Sequence, residues 1–218
     1  MKQAIVFDLD GTLLDTLEDL ANAVNRVLVA HGAPTHPLDA YRYFVGDGAR
    51  TLFERVLPEH HRTEETIETC LREFREDYGV NWNIRTRPYP GIEMLLQRLS
   101  ARGLRLAVLS NKPHETTVKC VEGILPRWHF EIILGQRPGV PKKPDPAGAL
   151  ELASRMGLPP SAFLYLGDTG TDMQTAASAG MLGVGALWGF RTAEELTQNG
   201  ARHLVAVPMD VLPLLDND

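Results

Sequence analysis

With 218 residues and a formal net charge of -6, the chain is long enough for one large domain or for a core with a smaller insertion, and it can bury a core without covalent staples. Its composition, 44% hydrophobic and 23% charged, is that of an ordinary globular protein. The mild acidity lacks the clustered basic face that nucleic-acid binding needs, and no stretch approaches the length of a transmembrane span. Cys70 and Cys120 lack CxxC spacing and read as two separate thiols in a reducing compartment. Met-Lys-Gln runs straight into an apolar strand, without the long apolar region or cleavage site of a signal peptide, so the cytoplasm is the expected location.

In chain order, Ala4 to Phe7 is an apolar run without polar alternation, which predicts a buried parallel strand. From Thr16 to Thr86 the pattern turns helical. Leu17, Leu20, Val24, Val27 and Leu28 form one stripe closed by Gly32, a second helix is predicted over Gly48 to Val56, and a third over Thr63 to Tyr78 with Ile67, Leu71 and Phe74 inward. Pro88, Pro90 and Gly91 mark the return to strand–helix alternation. Ile92, Leu95, Leu96 and Leu99 follow helical spacing up to Gly103, and a strand is predicted over Leu104 to Leu109. Further strands are predicted over Glu131 to Leu134, Phe163 to Leu166, Leu182 to Leu187 and His203 to Val207. Helices are predicted over Pro146 to Met156 and Asp172 to Ala179, closed by Gly157 and Gly180. The expectation is a doubly wound, mostly parallel α/β sheet built from residues 1–15 and 87–218, with an all-helical insertion at 16–86.

Polar residues gather where the strands end. The first strand runs into Asp8 and Asp10, the second into Ser110-Asn111-Lys112, and the fourth into Gly167-Asp168-Thr169 and on to Asp172. In open α/β sheets, ligands bind beyond the carboxyl ends of the strands at a topological switch point. A lone acid there is usually a turn former or helix cap, but several acids on one edge repel unless a cation sits among them. Asp8 and Asp10 are two apart, so in extended chain they share a side, one suited to be a nucleophile and the other an acid and base. Gly11 lets the backbone turn sharply, and Thr12 is placed to orient Asp10. The bland alternative for the same stretch is an Asx turn capping the next helix. His36 and His60-His61 read as solvated loop residues, and Trp82, Trp128 and Trp188 as packing. Gly183, Gly185 and Gly189 do not make a dinucleotide fingerprint.

Asp8-Leu9-Asp10-Gly11-Thr12 resembles the first motif of the haloacid dehalogenase superfamily, in the form its phosphatases carry. The resemblance implies Asp8 as nucleophile and magnesium ligand, and Asp10 as general acid and base with its backbone carbonyl on the metal. Ser110 looks like the second motif, a donor to the phosphoryl group aided by the amide of Asn111. Lys143, directly before a proline in Lys142-Lys143-Pro144, looks like the third, with Lys142 left as an exposed lysine. Gly167-Asp168-Thr169-Gly170-Thr171-Asp172 looks like the fourth, implying Asp168 as a direct metal ligand and Asp172 as a ligand either directly or through water. The family implies a Rossmann-like core and a helical cap for residues 16–86. Val45-Gly46-Asp47-Gly48 with Arg50, and Asn111-Lys112-Pro113, resemble phosphoglycolate phosphatases of that superfamily. Gly46 allows close backbone approach to a ligand, and Arg50 reads either as a fork for a substrate carboxylate or as an exposed helix residue.

The expected activity is therefore magnesium-dependent hydrolysis of a small phosphorylated metabolite, 2-phosphoglycolate first, by a monomer or homodimer with no nucleic-acid or membrane partner. A β-phosphoglucomutase-like enzyme and a sugar-phosphate or nucleotide phosphatase stay open, as does a non-catalytic binding protein on the same fold. Dehalogenation is disfavoured by Asp10-Gly11-Thr12. Phosphonate cleavage is disfavoured because it wants a lysine in the cap, and no lysine occurs between Lys2 and Lys112.

Overall fold

In the computed structural model, which describes residues 2–216, the six predicted runs become strands, and two further two-residue strands that the sequence did not predict, Leu14–Asp15 and Arg87–Pro88, pair with each other. They are β1 (Ala4–Phe7), β2 (Leu14–Asp15), β3 (Arg87–Pro88), β4 (Arg105–Pro113), β5 (Ile132–Gln136), β6 (Phe163–Gly167), β7 (Leu182–Ala186) and β8 (His203–Val205). Among the described residues, six of them form a wholly parallel sheet in the order β5-β4-β1-β6-β7-β8. This is the expected doubly wound α/β architecture. Chain order runs outward from β1 in both directions, so the switch point lies at β1, between β4 and β6. Alternate residues Ala4, Val6, Ala107, Leu109, Phe163 and Tyr165 build the core on one face, while Ile5, Phe7, Leu106, Val108, Leu164 and Leu166 are buried on the other. Burial on both faces is why these strands show no polar alternation.

The contacts divide the chain into two units, residues 15–87 and the remainder. In the first, α1 (Leu17–Ala30), α2 (Tyr41–Phe44), α3 (Ala49–Val56) and α4 (Glu64–Asn81) are helical. The stripe Leu17, Leu20, Val24, Val27 and Leu28 is buried, as are Leu52, Phe53 and Val56 of α3 and Ile67, Leu71 and Phe74 of α4. Phe53 meets Phe74 edge-on at 5.7 Å between ring centroids. His36 is not a solvated loop residue. Its ring packs against Tyr41 and Phe44 and its Nε2 lies 2.8 Å from the Val56 carbonyl, because the loop after α1 folds back over α3. Asp19 is buried and accepts from the amides of Arg85 and Thr86 and from the Thr86 hydroxyl, which ties the start of α1 to the segment leading into β3.

In the second unit, α5 (Ile92–Ala101), α6 (His114–Ile124), α7 (Ala147–Arg155), α8 (Gly170–Ala179) and α9 (Ala193–Gln198) precede or link the parallel strands. β4 runs four residues beyond the expected Leu109, carrying Ser110, Asn111 and Lys112 into buried strand. It does so because the pairing with β5 resumes at Pro113 and Gln136 after a register shift, and because each of these polar residues finds a partner. The six-residue α9, capped by Thr192, is too short to show a helical stripe in sequence. Cys70 and Cys120 are free and buried, on α4 and α6. Among the described residues, no helix is long and apolar enough to cross a membrane.

Candidate active site

The ladder of β1 ends at Phe7, and the chain then turns about the Leu9 carbonyl, which accepts from the amides of Thr12, Leu13 and Leu14. Asp8 and Asp10 therefore do not share an extended pleat. Each carboxylate meets its own lysine instead. Asp8 Oδ1 accepts from Lys143 Nζ at 2.8 Å, and both oxygens of Asp10 accept from Lys112 Nζ at 3.0 and 3.1 Å.

Lys143 arrives from the loop after β5. Its Nζ donates to Asp8, to Asp172 Oδ1 at 2.6 Å and to the Leu109 carbonyl at 3.1 Å, while Lys142 is exposed. The loop is pinned by Asn111, whose side chain donates to the Lys143 carbonyl and accepts from its amide, a role that sequence inspection did not assign. Asp172 closes a capping box at the start of α8. Its Oδ2 accepts from the Thr169 amide and hydroxyl, leaving Oδ1 for Lys143.

Asp168 follows β6 and is fully buried. Thr12 Oγ1 donates to Asp168 Oδ1 at 2.7 Å and does not orient Asp10, because the turn about Leu9 directs it toward β6. The Phe190 amide donates to Asp168 Oδ2 at 2.8 Å. Two glycines make room for this carboxylate. A Cβ on Gly11, whose φ is +91°, or on Gly189 would fall 2.3 Å from Asp168 atoms. Gly189 and Phe190 carried no legible signal, since neither matches a binding pattern in sequence. Ser110 is buried two residues before Lys112, and its Oγ accepts from the Lys112 amide at 3.2 Å, which leaves its hydroxyl proton to donate elsewhere.

Carboxylate oxygens of Asp8, Asp168 and Asp172 lie within 4.8 Å of one another, all buried. Three carboxylates face one ammonium, an excess of two negative charges when all are ionised. Burial, then the Asp172 carboxylate, pushes Asp8 well above the usual carboxyl range, with Lys143 pulling the other way. Asp168 is pushed up to about 7, first by burial and then by Asp172, against the Phe190 amide and the Thr12 hydroxyl. Burial opposes the charge on Lys143, but Asp172 and Asp8 hold its ammonium well above the ordinary lysine range. An all-oxygen, anionic and buried donor set fits a hard divalent cation such as magnesium. No histidine belongs to the cluster among the described residues.

The raised carboxyl has a consequence for stability. Asp168, with a pKa of about 7 against the ordinary 3.8 of an aspartate, binds its proton more tightly folded than unfolded. Its contribution to stability is thus complete below about pH 4 and is lost as pH climbs through about 7. Metal-free protein is expected to lose several degrees of Tm from this carboxyl between about pH 5 and pH 8, at about 2–4 °C per kcal/mol for a chain of this size. Magnesium should restore more at pH 8 than at pH 5. Thermal melts in chelated and magnesium buffers check this, and a magnesium effect independent of pH would contradict it.

In the helical unit, Gly46 and Gly48 both take positive φ, and Gly48 leads into α3. Arg55 braces this loop by donating to Asp47 and to the carbonyls of Tyr43 and Phe44. The Arg50 fork is occupied by Glu64, at 2.9 and 3.1 Å, and by Glu68.

Comparison with known proteins follows the same lines. Residues 5–186 match the family model for haloacid dehalogenase-like hydrolases. The chain is 34% identical to the phosphoglycolate phosphatase of Aquifex aeolicus, covering 99% of this chain and 97% of that one. It is 33% identical to the phosphoglycolate phosphatase of Psychrobacter arcticus, covering 90% and 88%. The crystal structure of a candidate phosphoglycolate phosphatase from Lactobacillus delbrueckii superposes with a TM-score of 0.93 at 30% identity, covering both chains fully.

Proposed function

We propose, since this chain belongs to the haloacid dehalogenase-like hydrolases, that it hydrolyses a small phosphate monoester through an aspartyl-phosphate on Asp8, with 2-phosphoglycolate as the preferred substrate. The observation that carries the reading is the buried grouping of Asp8, Asp168, Asp172 and Lys143 beside Ser110 at the end of the central strand. Relatives named as phosphoglycolate phosphatases support the substrate.

Asp8 attacks phosphorus and the ester P–O bond breaks, while Asp10 gives its proton to the departing alcohol oxygen. Water then attacks the same phosphorus, Asp10 takes its proton, the bond to Asp8 breaks, and inorganic phosphate leaves. Ser110 Oγ and the Asn111 amide donate to the phosphoryl oxygens, and Lys143 balances them together with Asp8. Asp8, Asp168 and Asp172, with the Asp10 carbonyl, would hold magnesium, which supplies positive charge against the phosphoryl oxygens. Gly11 gives the site its sharp turn, and Thr12 serves it by fixing Asp168.

The helical unit acts in this reading as the cap that selects substrate. Gly46 lets backbone approach the ligand, and Arg50 takes the substrate carboxylate in exchange for Glu64 and Glu68. The test is a panel of small phosphate esters assayed with magnesium and in chelated buffer, using wild type and Arg50→Ala. Turnover should require the metal and favour 2-phosphoglycolate. Arg50→Ala should lose on the order of tenfold in kcat/KM on 2-phosphoglycolate while barely changing on an aryl phosphate, which has no carboxylate to read. Equal losses on the two would remove Arg50 from recognition. A preference for hexose phosphates or nucleotides would overturn the substrate.

A further inference from the structure

The pairing of Lys112 with Asp10 joins residues 102 positions apart, and nothing in the motifs anticipates it. The lysine and aspartate side chains are 5% and 13% exposed, so an ammonium has been brought almost wholly out of water onto one carboxylate. Burying a lysine is costly, and an ion pair of this kind is weak evidence for stability on its own. The surroundings look built to aim it. The Lys112 amide donates to Ser110 Oγ, and its carbonyl accepts from Thr117 Oγ1 at 3.1 Å. Thr117 also donates to the Pro113 carbonyl at 3.0 Å. Gly135 presses on the same point, where a Cβ would fall 2.6 Å from the Lys112 carbonyl oxygen and 2.5 Å from Thr117 Oγ1. The root of the side chain is therefore fixed by its own strand, by α6 and by β5.

The two buried lysines divide the acids between them. Lys143 serves Asp8 and Asp172, and Lys112 serves Asp10. Asp10 is also absent from the close carboxylate cluster, although it lies two residues from Asp8. A carboxylate on so short a tether, if released, is free to turn toward the cation site as a further ligand, where it no longer exchanges protons with substrate or water.

We propose that Lys112 is the positioning residue for Asp10: by holding both carboxylate oxygens it keeps Asp10 out of the metal-binding cluster and aimed at the oxygen that gains or loses a proton. This rests on the acid–base reading of Asp10 above. It also gives a use to the lysine after the phosphate-binding Ser110-Asn111 pair, so that one strand end positions both the phosphoryl group and the acid.

The test compares Lys112→Met, Lys112→Arg and Asp10→Asn on two substrates. p-Nitrophenyl phosphate has a leaving group that departs without a proton, so phosphoryl capture by Asp8 survives while hydrolysis of the intermediate, which needs Asp10, slows. Stopped-flow traces of Lys112→Met should show a burst of nitrophenolate stoichiometric with enzyme, then a steady state lowered by on the order of a hundredfold. On 2-phosphoglycolate, whose alkoxide leaving group needs the proton, kcat should fall at least as far with KM nearly unchanged. Lys112→Arg, which retains donors, should recover part of both. A merely structural lysine would lower both substrates alike, without a burst, and that pattern would overturn the proposal. Asp10→Asn separates the two layers. If it shows no burst, the acid–base reading itself fails; if it bursts and folded Lys112→Met does not, only the role of Lys112 fails. Should Lys112→Met not fold, Lys112→Gln is read by the same criterion.

Discussion

Asp8→Asn is expected to abolish turnover, by about four orders of magnitude or more, while leaving the protein folded. An amide is almost the shape of a carboxylate but does not attack phosphorus. The fold should tolerate it because Asp8 is a strained charge to begin with. Burial and Asp172 already push its carboxyl toward the neutral form, and the amide oxygen still accepts from Lys143. In metal-free protein the Tm of Asp8→Asn should therefore hold or rise, as is common where a site is arranged for chemistry against stability. Magnesium should raise it less than in wild type, since one anionic ligand is gone. The check pairs a rate assay on an aryl phosphate with melts in chelated buffer. Purified Asp8→Asn turning over near the wild-type rate would remove Asp8 as the nucleophile. A collapsed Tm would mean that the ion pair with Lys143 matters more to folding than the buried excess of carboxylates implies.

What can be read from sequence here is what local pattern encodes. Ala4–Phe7 is legible because four consecutive apolar residues have no polar face to show, and Asp8 and Asp168 are legible because each directly follows such a run. Asp172 is legible as the last acid of the Gly167-to-Asp172 stretch that follows the same strand. What escapes sequence is the pairing across long separations. Asn111 grips the backbone of Lys143 over 32 residues, and Lys112 holds Asp10 over 102. Neither follows from any periodicity. The destination of Thr12 is lost for a different reason. A hydroxyl four residues after Asp8 faces Asp10 in one turn geometry and Asp168 in another, and the choice is made by three amides converging on the Leu9 carbonyl. Arg50 shows the limit from the other side. Its helix start is legible, but its partners Glu64 and Glu68 lie on α4, so its fork is engaged in a way that the loop motif alone does not reveal.

Lys143→Met is expected to cost both activity and fold. The ammonium reaches two carboxylates and a carbonyl, and the lysine side chain is only 4% exposed to solvent. Removing one partner from such a cluster leaves buried charge uncompensated, typically a loss of about 3–5 kcal/mol. For a chain of this size that corresponds to a Tm lowered by roughly 10 °C, at about 2–4 °C per kcal/mol. The loss should be largest in chelated buffer, where Asp8, Asp168 and Asp172 face one another with no cation among them, and smaller with magnesium present. Turnover should fall by about two to three orders of magnitude even with saturating metal, because the phosphoryl oxygens lose a fixed positive charge that acts as the bond breaks. Lys143→Arg should rescue neither measurement, since a planar guanidinium is too wide for a point of contact shared by Asp8 Oδ1, Asp172 Oδ1 and the Leu109 carbonyl. Melts in chelated and magnesium buffer, run beside a saturating-metal rate assay, separate the two effects. If Lys143→Met melted with the wild type in chelated buffer, the ammonium would not be what balances the three carboxylates. If it also kept its rate, the charge acting on the phosphoryl group would have to come from elsewhere in the site.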